Sequence, residues 1–220
     1  VSFVAVLPSI YPLWTNRCLL TMGRHLRDQT LIVDNTVENL GVAASWNKGI
    51  DVMDAHGVDW LVLVSAACRF GPAGGIDFLD RLDELGASAM SFDTGRDRAV
   101  AVEAGHGVGW HLIAFPRWTI EAVGRFDEIF WPAYCEDIDY SYRISRTFDL
   151  NPPYWLKTTD IDVSIAGFSH GVDLGKVTVD NDRNHFLYKQ KWGGDKGQET
   201  FDTPYGEPGL SLTHTGGPPT

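Results

Sequence analysis

Basic residues are scarce in this chain. Eighteen Lys and Arg stand against twenty-nine Asp and Glu, for a formal net charge of −11. A surface of that sign repels nucleic-acid backbones, so non-specific nucleic-acid binding is excluded. An anionic ligand would need local help from backbone N–H groups, a few Lys or Arg, or a cation. Cysteine is also sparse. Cys18, Cys68 and Cys135 are an odd number with no CxxC spacing. They read as reduced thiols of a cytoplasmic protein, not as a disulfide framework or a zinc site. No hydrophobic run reaches membrane-spanning length, so no transmembrane segment is expected, and no signal-peptide pattern opens the chain. No internal repeat and no linker divides it.

What is present suits one sizeable core. Hydrophobic residues make up 44% of 220 positions, which excludes global disorder. Phe3-Val-Ala-Val-Leu7 is a short apolar run stopped by Pro8, as in a buried strand. Thr15 or Asn16 is expected to cap a helix running to about Arg27. Leu31-Ile-Val33 is a second buried strand, ended by Asp34-Asn35-Thr36. A helix follows over Val42 to Met53, then a third strand, Trp60-Leu-Val-Leu-Val64, ended by Ser65-Ala66-Ala67-Cys68. Ile76, Leu79, Leu82 and Leu85 fall at near-helical spacing, and Ala87 to Phe92 reads as a fourth strand.

Strand, loop, helix, repeated, predicts an α/β fold: a Rossmann-like, mostly parallel sheet flanked by helices. Ligands bind such sheets beyond the carboxyl ends of the strands. Three polar loops should therefore meet at one rim: Pro8–Tyr11 (including Ser9), Asp34–Thr36 and Ser65–Arg69. Farther on, Arg98–Val102, Leu112–Phe115, Tyr154–Lys157 and Val163–Ala166 are short strand candidates. Trp118–Val123 and Val177–Trp192 read as helices. From Gly193 on, Gly, Pro and Thr dominate and periodicity stops, so 194–220 is expected to be an irregular, flexible tail.

The most informative stretch is Trp131-Pro-Ala-Tyr-Cys-Glu-Asp-Ile-Asp-Tyr-Ser-Tyr-Arg143. It places adjacent carboxylates, Glu136 and Asp137, where a proline-broken aromatic loop becomes a helix. Asp139 and Arg143 stand four apart, which supports a helical face. Carboxylates at a helix entrance can simply complement its dipole. One held at a loop–helix junction can also serve as a general base. Asp34 can end its strand in an Asx turn or contact a nucleobase or ribose. Asn47 and Lys48 sit inside a helix whose start is rich in small residues. They suit either a surface helix or contact with a phosphate. Gly105-His-Gly-Val-Gly109 follows no long strand and opens no helix, so it is not a dinucleotide fingerprint. His106, His111 and His170 are each more often structural than ligating.

Taken in order, several segments resemble a family 2 glycosyltransferase of the GT-A fold, in the rhamnosyltransferase-like branch. They are Val33-Asp-Asn35, Asn39-Leu-Gly-Val-Ala-Ala-Ser-Trp-Asn-Lys-Gly49, Glu121-Ala-Val-Gly-Arg-Phe-Asp-Glu128, Tyr134-Cys-Glu-Asp-Ile-Asp139 and Tyr188-Lys-Gln-Lys-Trp-Gly193. The resemblance covers residues 3–193 and implies one GT-A domain with a small mixed second sheet. It implies an inverting, hexosyltransferase-type enzyme with a nucleotide-sugar donor and a glycan, lipid-linked or protein acceptor. Asp137 aligns with the catalytic base, and Glu136 and Asp139 could raise its pKa by like-charge proximity. Asp34 aligns with the base-recognition position, which suits the imide N–H of a UDP- or dTDP-sugar. Asn39, Gly41 and Asn47 align with the donor loop, and Trp110 with the segment lining sugar and acceptor.

One departure stands out. The family carries an Asp after the third strand, where a carboxylate meets a divalent cation, Mn²⁺ or Mg²⁺. Ala67 occupies that place here. A methyl group cannot ligate a hard cation, and Cys68 is a poor match for one. Three readings stay open: metal independence, with Arg69, Lys48 or His170 neutralising the diphosphate; weak metal binding through His170; or an engineered or degenerate change in a once metal-dependent enzyme. A different class of function also remains, a catalytically weak nucleotide-sugar-binding protein of the same fold. A nucleotidyltransferase is disfavoured, because Leu7-Pro-Ser-Ile-Tyr-Pro12 is not a glycine- and basic-rich loop.

Overall fold

Alternate residues of the first and third strands face two different cores, which is why their sequences read as unbroken apolar runs. The computed structural model describes residues 1–89, 100–104, 110–149, 156–158, 161–165 and 181–218. Strand β1 (Phe3–Ser9) lies between β2 (Thr30–Asp34) and β3 (Trp60–Val64), parallel to both. Phe3, Ala5, Leu7, Trp60, Val62 and Val64 pack on one side with Cys18, Phe78 and Leu82. Val4, Val6, Leu61 and Leu63 pack on the other, against Ala43, Trp46, Ile50 and Met53 of α3 (Val42–His56). The approach of α3 is close. A Cβ on Gly49 would lie 2.8 Å from Leu61 Cδ1 and closer still to Val6 Cγ2.

The sheet then reverses. Strand β6 (Leu112–Pro116) pairs antiparallel with β3, Val64 opposite Leu112. Strand β5 (Val102–Ala104) is antiparallel to β6 and parallel to β7 (Leu156–Thr158). The order is β2-β1-β3-β6-β5-β7, and a second, two-stranded sheet pairs β4 (Cys68–Phe70) antiparallel with β8 (Val163–Ile165). The expected mostly parallel sheet with a small second sheet is therefore what the chain forms. The reversal has a consequence for the site. It brings the start of β6 to the rim where β1, β2 and β3 end, and Ser65 N–H donates to His111 O at 2.7 Å.

Three local expectations need correction. The first helix is two: α1 (Pro12–Thr21) and α2 (Arg24–Asp28). Pro12 opens α1, so Thr15 falls inside the helix and donates to Ser9 Oγ at 2.7 Å rather than capping. Residues Ala87 to Ala89 belong to helix α4 (Ile76–Ala89), not to a strand; the rest of that expected strand lies outside the described residues. The amphipathic spacing of Phe78, Leu79 and Leu82 carries the helix into the residues expected to begin that strand. The helix expected from Trp118 is α5 (Arg117–Val123), and the last is α7 (Asn181–Trp192).

The second half holds a buried charge network. In α6 (Glu136–Thr147), Asp139 and Arg143 are both fully buried, with Arg143 Nε 2.9 Å from Asp139 Oδ2. Lys191 Nζ from α7 lies 2.8 Å from Asp139 and 2.6 Å from Asp127, and Trp192 Nε1 donates to Asp139 at 2.8 Å. Two acids thus meet two bases with no water-facing group. Residues 193–218 are irregular, with one 3-10 turn at Pro204–Gly206. They are tied to this network where Gly216 N–H donates to Asp127 Oδ1 at 2.9 Å.

Candidate active site

The strand reversal and α6 enclose a cleft of about 550 Å³ at the common rim. Its first half is built by the carboxyl ends of the parallel strands: Pro8 near the end of β1 and Tyr11 after it, Asn35 after β2, Ser65 and Ala66 after β3. Its second half is built by Trp110 and His111 before β6, the loop Pro132–Tyr134, and Glu136 and Asp137. Convergence of the three expected loops is therefore observed, and α6 supplies the carboxylates opposite them.

Short-range bonds hold the first half rigid. Asn35 N–H donates to Ser9 O, and its side chain donates to Ser45 Oγ at 2.9 Å and accepts from Leu40 N–H at 3.1 Å. Asn39 Oδ1 accepts from Gly41 N–H at 3.0 Å. Gly41 has φ +87°, and a Cβ there would meet Trp131 Cδ1 at 2.9 Å. Glycine is thus required both by its backbone and by the aromatic loop lying on it. That loop is pinned in turn. Trp131 Nε1 donates to Asn39 O, Val42 N–H to Pro132 O, and the Asn184 amide of α7 to Ala133 O, each at 2.8 Å. The Trp131–Pro132 peptide is cis.

The loop reaches α6 through two successive left-handed non-glycine residues, Tyr134 at φ 74° and Cys135 at φ 73°. Such backbone is disfavoured for residues with a Cβ, and persists where neighbours over-determine it. Cys135 makes no side-chain cap, and burial with the adjacent carboxylates pushes its thiol up to about 12. The two carboxylates that follow then differ in setting. Asp137 is half-buried, and its Oδ1 accepts from Ile138 N–H at 2.9 Å. Desolvation raises its pKa above the ordinary carboxylate value, opposed in part by the Ile138 N–H and the charges of Lys196 and His111. Glu136 is 6% exposed, and its Oε2 has no hydrogen-bond partner. Desolvation and then the Asp137 charge hold its pKa well above the usual range.

The other expected site residues divide plainly. Pro8, Asn35, Asn39, Gly41, Ser65, Ala66 and Trp110 line the cleft; Ser9, Asp34, Asn47, Lys48, Ala67 and Cys68 do not. Ser9 is buried beneath the rim on Thr15. Asp34 is exposed and forms the Asx turn, accepting from Thr36 N–H at 2.9 Å. The Thr36 side chain first, and then that N–H, lower its pKa. The phosphate reading of Asn47 does not hold. Its amide donates to Phe126 O and Glu128 Oε1 at 3.0 and 2.7 Å, tying α3 to the turn before α6. Lys48 is exposed on α3. Asp139 does not converge on Asp137, because Lys191, Arg143 and Trp192 hold it on the opposite side of α6.

The end of β3 does not fit a hard cation. Ser65 offers one hydroxyl, Ala66 and Ala67 offer none, and Cys68 is a fully buried thiol whose pKa is raised by desolvation. Among the described residues no group of three or more His, Cys, Asp or Glu is placed to hold a metal. His170 lies outside the described residues. Arg69 is beside this turn, its Nη1 donating to Ala66 O at 2.8 Å and its guanidinium 5.2 Å from the Trp14 ring. Trp14 and Tyr134 are cleft residues that sequence reasoning did not single out. Trp14 carries no local signal, whereas Tyr134 could have been found from its place two residues before the carboxylate pair.

No family profile and no curated protein matches this chain by sequence. Solved structures resemble it in fold. The mannosyltransferase PcManGT from Pyrobaculum calidifontis, in complex with GDP-Man and Mn²⁺, is 14% identical with a TM-score of 0.51. The match covers 77% of this chain but only 58% of that one. A197 from STIV is 13% identical over 75% of this chain and 85% of that one, with a TM-score of 0.45. A glycosyltransferase involved in glycosylation of the major capsid of PBCV-1 is 6% identical over 72% and 82%, with a TM-score of 0.36. The likeness to the mannosyltransferase is one of fold, and the chain has the mixed α/β, GT-A-like arrangement of that neighbour.

Proposed function

We propose that this chain is an inverting glycosyltransferase of the hexosyltransferase type, in the family 2, rhamnosyltransferase-like branch, with Asp137 as its general base. One observation carries the reading. A half-buried carboxylate of weakened acidity faces a cleft at the carboxyl ends of three parallel strands. Raised basicity suits proton abstraction near neutral pH. In the proposed step Asp137 removes the proton of an acceptor hydroxyl as its oxygen attacks the anomeric carbon. The bond from that carbon to the diphosphate breaks, the configuration inverts, and nucleoside diphosphate leaves.

The strand-end half of the cleft is the proposed donor side. Asn35, Asn39 and Ser65 offer polar contacts there. Asp34, exposed at the β2 end next to Asn35 but outside the cleft lining, is the proposed contact for a uridine or thymidine base reaching beyond it. Arg69 is the proposed partner of the leaving diphosphate, and no step is routed through a metal. The domain is proposed as residues 1–193, with 194–220 as an appended tail. Residues 193–206 nonetheless bond to α6 and α7, through Tyr142 Oη to Phe201 O at 2.8 Å and Tyr188 to Glu199. No described helix is long and apolar enough to cross a membrane.

Nucleoside-diphosphate release from a panel of nucleotide sugars, with and without acceptors, tests the reading. Asp137→Asn should abolish release while donor binding persists, seen as a donor-dependent rise in Tm. Full turnover by Asp137→Asn would remove the assignment of the base. A second reading, a nucleotide-sugar-binding protein with little catalysis, is favoured by the buried methyl of Ala67 where a cation ligand would stand. It predicts donor binding without release in the wild type.

A further inference from the structure

One part of this acidic chain holds no acid at all. Residues 1–27 contain no Asp or Glu and carry Arg17, Arg24 and Arg27, whereas all twenty-nine acids and fifteen of the eighteen bases lie in 28–220. That stretch includes α1 and most of α2. Both helices bury residues in one core, Cys18 from α1 and Leu26 from α2, with Met22 between them. Their other sides face outward. On α1, Leu13, Arg17 and Leu20 fall at i, i+4 and i+7, on one stripe. Leu13 is 60% and Leu20 81% exposed, and Arg17 is exposed between them. Arg24, His25 and Arg27 of α2 are exposed as well. Asp28 is the one acid on the two helices, and it pairs with Arg24 at 3.2 Å in an exposed, weak contact. On α4, which contacts α2, Asp83 pairs with the Val1 amine at 3.0 Å, and Asp77 accepts from Asp162 N–H at 3.1 Å.

Protruding leucines flanked by arginines match a surface that is anionic outside and hydrocarbon beneath, as at a bilayer interface. A protein partner fits less well. Helix α1 is about 15 Å long and about 10 Å wide. Even with α2 it falls well short of the roughly 800 Å² that a standard protein interface takes from each side. A bilayer demands no shape complementarity, so leucines can enter it singly, and each arginine near it adds attraction to anionic headgroups. We propose that the outward side of α1 and α2 is a docking surface for an anionic lipid bilayer. Leu13 and Leu20 enter the boundary between headgroups and acyl chains, and Arg17, Arg24 and Arg27 meet lipid phosphates. The headgroup field decays within about 8–10 Å, so arginines at the contact outweigh acids farther away. Those acids are repelled by the same surface, which favours one orientation. Tyr11 and Trp14, at the start of α1, line the cleft, so docking brings its rim within about 15 Å of the bilayer. The docking surface is independent of the sugar-transfer reading.

The test is co-sedimentation of the full chain with two kinds of vesicle, phosphatidylcholine alone and an equimolar mixture with phosphatidylglycerol. The wild type should bind the mixed vesicles, release from them as salt is raised, and leave phosphatidylcholine vesicles unbound. Leu13→Gln and Leu20→Gln should each weaken binding about tenfold, for the lost apolar insertion. Arg17→Gln and Arg24→Gln should each weaken it about fivefold. Phe186→Gln removes an equally exposed apolar side chain on α7, and should leave binding unchanged. These side chains are exposed, so each variant should keep the wild-type Tm, which reports that it is folded. Failure of the wild type to bind mixed vesicles would overturn the proposal. Equal binding to phosphatidylcholine alone, or binding untouched by the leucine and arginine changes, would overturn it too. Capture by an acidic polypeptide such as polyglutamate, with no vesicle binding, would make the face a protein-docking surface instead. Nucleoside-diphosphate release without vesicles reports on the transferase reading separately, and none of the four leucine and arginine variants should alter it.

Discussion

Two aspartates two residues apart in α6 should respond in opposite ways to the same substitution. Asp139→Asn removes the charge that holds Arg143 and Lys191, at 2.9 and 2.8 Å, inside the protein. Asp127 remains to offset only Lys191, at 2.6 Å, so one buried positive charge is left over. Removing one partner of a buried ion pair costs about 3–5 kcal/mol. For a domain of this size Tm falls about 2–4 °C per kcal/mol, so a drop of about 6–20 °C is expected. The pH dependence adds a second readout. Desolvation pushes the Asp139 carboxyl up, but Lys191 and then Arg143 outweigh it and hold it below its ordinary value. A depressed carboxyl stabilises the fold above its unfolded pKa of about 4 and loses that contribution as pH falls through the folded value. Wild-type Tm should therefore drop on acidification, and Asp139→Asn should flatten that limb. Asp137 behaves in the reverse sense. Its raised carboxyl opposes folding increasingly as pH rises through the folded value. Asp137→Asn removes that opposition, so Tm at neutral pH stays level or rises while nucleoside-diphosphate release is lost. Thermal unfolding by circular dichroism across a pH series measures both. A Tm for Asp139→Asn within about 2 °C of wild type would refute the assignment of Asp139 to the fold.

Other outcomes follow from single contacts. The acid limb of kcat/KM should have its midpoint above the ordinary aspartate value of about 3.9, and a midpoint at or below it sinks the desolvated base. Gly49→Ala should cost about 1–3 kcal/mol in chemical denaturation, because the new methyl overlaps Val6 and Leu61 at the α3–sheet contact. Ala67→Asp should not create a metal requirement. It buries an unpaired carboxyl at a fully covered position, so a lower Tm with donor affinity unaffected by added Mn²⁺ is expected.

Periodicity and punctuation carried most of the architecture. Unbroken apolar runs at Phe3–Leu7 and Trp60–Val64 read as strands because both faces are covered. Within α3, Gly49 lets the helix lie close on Val6 and Leu61. The boundaries failed where local signals competed. A candidate cap at Thr15 lost to Pro12, and a small-residue stretch at Ala87–Ala89 stayed helical because its helix is anchored by Phe78 and Leu82.

By itself, the sequence determined the carboxylate pair, its loop–helix setting and the lack of an acidic residue over Ser65–Cys68, since these depend on residue identity and near neighbours. The direction each side chain takes was decided only in three dimensions. Asn47 turns to Phe126 and Glu128 instead of the cleft, and Asp139 turns to Lys191 instead of Asp137. Glu136 is left buried without a partner. The reversal of β6 brings His111 and Trp110 to the same rim. Partners more than 45 residues away fix those choices, and spacing along the chain holds no record of them. A one-dimensional pattern encodes which groups are near in sequence; burial, charge pairing and acidity depend on which groups are near in space.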